Sequence, residues 1–156
     1  MHFLIGLHAA LGELGALMFL WVLVEMLDPN ETRIRRAKKA AMLGLLFLVL
    51  SWILGGYYYL GHYQADVKAV IKAGPDPWTH SIITETKEHV FIFLPFLATI
   101  VWGMFMRYGL ELQNNKNLSR AVVVLAALII LVALSMAGMG YLISSGFRSA
   151  HESLMP

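Results

Sequence analysis

Three ionisable residues stand at the mouth of an unbroken apolar run. Glu85, Glu88 and His89 lead into VFIFLPFLATIVWGMF. Spacings of three and four put them on one side of a helix, and imidazole with carboxylate is a donor set for iron, zinc, copper or manganese. Two further histidines reach a similar level. His8 lies roughly 7 Å below the start of the first apolar segment, and His62 stands about one turn inside a second segment that runs on to Asp66. His8, His62, Glu85, Glu88 and His89 therefore form a candidate metal set. His8 paired with His62 or His89 is a candidate axial pair for haem b. The competing structural reading is a helix start: Thr84 caps the third helix, and Glu85 and Glu88 favour its positive end. His2, His80 and His151 read as loop or terminal residues.

Glu13 is the other chemical anomaly. It falls about 15 Å along its segment, near the middle of a bilayer, where an ionisable group is costly and by default functional. The same arithmetic brings Ser51, Thr99 and Ser135 to that depth, where they are expected to hydrogen-bond Glu13 across a bundle. Glu13 is thus the candidate catalytic group, a proton carrier beneath the histidines, or else a polar clamp. Glu25, beside Asp28, reads as interfacial. Gly12, Gly15, Gly55 and Gly56 are expected to serve close helix packing or to leave room for a flat ligand.

The elements that must position these residues follow from composition. In 156 residues, 58% are apolar and 14% charged, which is the composition of a membrane protein. Four stretches, about 3–27, 40–62, 89–108 and 121–144, each reach the roughly 20 residues needed to cross hydrocarbon as a helix. The expected fold is all-α: one domain, an integral membrane four-helix bundle. Asn30 or Thr32 is expected to cap the second helix. That helix should extend past Gln64 and turn at Gly74-Pro75-Asp76-Pro77. Trp78 and Tyr57, Tyr58, Tyr59 and Tyr63 suit an aromatic belt. The N-terminus lacks the basic start and cleavage site of a signal peptide and reads as a retained first span.

Arg33, Arg35, Arg36, Lys38 and Lys39 crowd the first connection, and Arg107, Lys116 and Arg120 mark the third. The positive-inside rule puts these two connections in the cytoplasm and both termini outside, in what is expected to be a prokaryotic inner membrane. All six histidines then fall on the outer side, although only Lys and Arg set the orientation.

Cysteine is absent, which excludes thiolate metal sites, iron–sulfur ligation and covalent c-type haem. No nucleotide-binding loop or nucleophile motif occurs. The 33–39 basic run is too short for nucleic-acid binding and is explained by topology and anionic lipid. The function expected is a small membrane protein that binds haem b at an outer-leaflet His/Glu site and exchanges electrons with quinol. The alternatives are a transition-metal binding or handling protein, and a cofactor-free accessory subunit of a larger membrane complex. The bilayer, a quinone, and a larger complex or homo-oligomer are the expected partners.

Overall fold

The computed structural model describes residues 3–154. His2, Met1 and Met155 lie outside them. Among the described residues the secondary structure is helical, with no strand. Four rods result. The first is α1 (Phe3–Met26). The second is α2 (Glu31–Tyr58), continued by a π-helical stretch, Tyr59–Val67, and by α3 (Lys68–Ala73). The third opens with a π-helical turn, Thr79–Thr84, and continues through α4 (Glu85–Phe91) and α5 (Phe93–Tyr108) to a 3-10 turn, Gly109–Gln113. The fourth is α6 (Lys116–Leu154). Each rod is long and apolar enough to cross a membrane.

The rods overrun the apolar stretches that announce them. The second covers 31–73 and the fourth 116–153. An apolar window measures the thickness of hydrocarbon, whereas the helix continues as long as its backbone bonds are made. Asn30 starts α2 as expected, its side chain accepting from the Arg33 N–H at 3.0 Å. Gly74–Pro77 breaks the helix between α3 and the third rod, also as expected.

α1 packs on α2 and α6, and α5 packs on the same two rods. Small residues allow the α1–α2 approach: a Cβ on Gly15 would stand 2.8 Å from Leu48, and one on Gly44 2.7 Å from the Phe19 ring. The main core, around Phe19, Leu48, Ala98, Val101, Phe105 and Ile129, fills the bundle from this seam toward the first and third connections. There Glu25, although 6% exposed, is fully satisfied. It accepts from Trp21 Nε1 at 2.9 Å, from Arg33 Nε at 3.1 Å, and from Arg36 Nε and Nη2 at 2.6 and 3.0 Å. Arg33 also donates to the Val24 carbonyl. Glu25 is therefore a buried ionic tie between α1 and α2 at the last turn of α1.

A second, smaller core lies at the opposite end, where Tyr63, Val67 and Ile71 pack with Ile143 and Phe147 of α6. Gly74 meets Ala150 and Gly146 meets Thr79 so closely that a Cβ on either glycine would come within 2.3 Å. The long 59–91 segment is thereby docked on α6. This end, with the first turns of α1, carries the site.

Candidate functional site

The site is built on one face of α4. Thr84, Lys87, Glu88 and Phe91 recur at the i, i+3, i+4, i+7 spacing of a single helical stripe. Thr84 is buried and the other three are half-buried. The stripe faces the bundle. Phe91 lies 5.7 Å, centroid to centroid, from the His8 ring of α1.

His8 is held tightly. Its Nδ1 lies 2.7 Å from the Ser51 carbonyl oxygen and 3.1 Å from Ser51 Oγ, and Ser51 Oγ donates to the His8 carbonyl at 2.8 Å. Ser51 is fully buried. The ring fits because position 55 is glycine: a Cβ there would stand 2.7 Å from the imidazole. A carbonyl on Nδ1 fixes that nitrogen as the N–H donor and leaves Nε2 with its lone pair. Ligating or proton-accepting histidines are held in this way.

Lys87 and Glu88 add two ionisable groups to this layer. The Lys87 Nζ rests against α6, 3.0 Å from where a Cβ on Gly140 would stand, and is close enough to act on His8 electrostatically. Among the described residues Lys87 has no hydrogen-bond or ion-pair partner. The Tyr59 hydroxyl lies beside the Glu88 carboxylate, whose buried Oε1 lacks an aligned donor. A lysine without a hydrogen-bond partner and an under-satisfied carboxyl group inside an apolar bundle are unfavourable for stability alone.

Above this layer the two π-helical segments face each other. Tyr63 Oη lies 3.0 Å from His80 Nδ1 and 2.9 Å from Thr84 Oγ1, and Thr84 Oγ1 donates to the Thr79 carbonyl at 3.0 Å. His80 Nε2 lies 3.7 Å from Glu85 Oε1. Tyr63, His80, Thr79 and Thr84 are all buried. π-helical turns are rare and recur at functional sites; here they swing Tyr63 and His80 inward.

These positions revise several expectations. Glu85, Glu88 and His89 share a stripe about 100° wide, and the edge of the buried face falls inside it. Glu88 turns inward, Glu85 stands beside His80, and His89 is exposed, its Nδ1 2.6 Å from the Glu85 carbonyl. His62 stacks on Tyr58 at 5.8 Å, seven residues and so roughly 10 Å along the rod from the glycine under His8. His8, His62 and His89 are thus not brought face to face. Among the described residues no three His, Asp or Glu side chains gather to hold a metal ion.

Among the described residues the polar layer around Glu13 does not form. Ser51 is taken by His8, whereas Thr99 and Ser135 bond to carbonyls of their own helices, Pro95 and Leu131. Glu13 is exposed on the outside of α1. Depth fixes the level of a residue but not its direction around the helix. Thr84 is not a cap either: its backbone is already helical and its side chain makes no capping bond. Tyr63 and His80, expected in a belt and a loop, are core residues. Lys87, Tyr59 and the Tyr63–His80 pair are the parts of the site that sequence reading passed over. The 84/87/88/91 periodicity is the signal that points to Lys87.

Comparison of the chain with protein-family models, curated proteins and solved structures gives no match.

Proposed function

We propose that this chain is an integral membrane electron-transfer protein. It exchanges electrons with quinol at the end bearing the long 59–91 segment, through a haem b held by His8. The observation that carries the reading is His8 itself. It is an imidazole inside a membrane-length bundle with Nδ1 committed to a main-chain carbonyl, the Nε2 lone pair left free to ligate, and a glycine opposite where any larger residue would collide. That is how a protein prepares an axial ligand.

When bound, the haem supplies a one-electron couple. The chain supplies the rest. Ser51 holds the ligand in one tautomer and one rotation. Lys87 offers an amine that an anionic group, a propionate or a developing quinone oxyanion, would hold in its charged form. Glu88 offers a carboxylate oxygen for the protons that quinol must lose on oxidation. Lys87 and Glu88 are half-buried, so their electrostatics act through a lower dielectric than that of water. The positions of His62 and His89, spread along the chain, support reading His8 as the first ligand. They also disfavour the multidentate metal centre of His8, His62, Glu85, Glu88 and His89.

The deciding experiment is a visible spectrum of the detergent-purified protein, oxidised and dithionite-reduced, with metal analysis on the same sample. A haem spectrum that disappears in His8→Ala and survives in His151→Ala supports the assignment. A haem spectrum indifferent to His8 moves the ligand elsewhere. A colourless protein with stoichiometric metal selects the metal reading, and a colourless, metal-free one selects the accessory-subunit reading.

A further inference from the structure

The outer face of α1 carries a second pattern, independent of the histidine site. Gly6, Ala10, Glu13, Leu17, Leu20 and Val24 follow one another at intervals of four and three. That alternation is the a/d seam of a left-handed helix pair. The seam is not used inside the molecule. Leu17, Leu20 and Val24 are 54%, 44% and 48% exposed, and Ala10 and Glu13 are exposed beside them. Apolar exposure alone says little, because lipid is as apolar as leucine. Glu13 is the informative residue. It sits at mid-span, faces away from the bundle, and has no hydrogen-bond or ion-pair partner among the described residues. A carboxyl in that place is unfavourable against lipid and calls for a polar partner.

We infer that this face is a dimer interface, at which a second copy of the chain sets its Glu13 against Glu13 of the first. Insertion gives every copy the same orientation, so two copies meet in parallel about an axis normal to the membrane. In a parallel a/d pairing each seam residue meets its own counterpart at the same depth. Glu13 would therefore meet Glu13, and two facing carboxyls hydrogen-bond to each other once at least one carries a proton. A single polar residue in an otherwise apolar seam also fixes register. Gly6 and Ala10 let the two α1 backbones approach closely on one side of it.

The absence of cysteine makes the test clean. Single variants Ala10→Cys and Leu17→Cys of the full chain are oxidised in membranes, with Phe96→Cys and Leu134→Cys as controls. Those controls are 65% and 62% exposed on other helices. Facing seam positions bring Cα atoms within disulfide reach. The expected result is covalent dimer from the two seam variants and several-fold less from the controls. Adding Glu13→Gln, which keeps a donor and an acceptor, should preserve the yield; adding Glu13→Leu should lower it several-fold. Equal cross-linking from all faces, no dimer at the seam, or full yield with Glu13→Leu would overturn the inference. Monodisperse elution of each variant checks that the fold is intact.

Discussion

At the scale of single residues, the sharpest consequence lies at position 55. Because a Cβ there would stand 2.7 Å from His8, Gly55→Ala must push the ring off the Ser51 carbonyl or force the two helices apart. Overpacking of this kind costs about 1–3 kcal/mol. The thermal midpoint in detergent should fall, and any haem-dependent absorbance should weaken with it. An unchanged midpoint would mean that His8 does not lodge against α2. Tyr63→Phe tests the upper network. It removes the hydroxyl shared by His80 Nδ1 and Thr84 Oγ1 and leaves a buried imidazole nitrogen unsatisfied, a loss of about 1–3 kcal/mol. Hydrogen exchange should quicken at 79–84 while the basic-loop end is unaffected. The sequence betrayed His8, Glu88 and Glu13 as unusual, since each is ionisable within or beside an apolar run. It could not say which way each points. A rotation of 100° separates Glu88, turned in, from His89, turned out, and neighbouring residue types do not encode that angle.

At the scale of elements, the long 59–91 segment is more than a connection. Its two π-helical stretches carry the Tyr63–His80 pair, and it is pinned to α6 by glycines that accept its backbone and Thr79 at close range. Gly146→Val places bulk where Thr79 Oγ1 now lies, so the segment should lift from α6. Limited proteolysis near 74–79 should become faster, and the seam between α1 and α2 should keep its protection. Equal loosening at both ends would show that the segment is not a separable cooperative unit. The four rods were plain from hydropathy, as were the Asn30 start and the Gly74–Pro77 break, because each rests on local chemistry. The π-helical turns left no such mark. They arise where Tyr63, His80 and Thr84 satisfy one another across two segments, and a contact between residues 17 and 21 positions apart has no local signature.

At the scale of the whole molecule, the antiparallel rods place the first and third connections together, with α2 packed against the 109–113 turn. That end holds Arg33, Arg35, Arg36, Lys38, Lys39, Arg107, Lys116 and Arg120, against Lys68, Lys72, Lys87 and Arg148 at the other. The positive-inside bias therefore predicts that the basic end is cytoplasmic and that the His8 layer faces outward. Single cysteines give the measurement. Ala73→Cys should react with a membrane-impermeant maleimide in intact cells, and Glu31→Cys and Asn115→Cys only after lysis. The reverse pattern would place the His8–Lys87–Glu88 layer on the cytoplasmic side and turn any proton released from quinol inward. The structure also ranks the charges. Arg33 and Arg36 are committed to buried Glu25, whereas Lys38 and Lys39 make no such tie among the described residues. Because acidic residues contribute little to the bias, Arg33 and Arg36 should still count toward orientation. Neutralising Lys38 and Lys39 should then weaken the orientation without loosening α1 from α2. Neutralising Arg33 and Arg36 should do both, and labelling compared with the thermal midpoint separates the two effects.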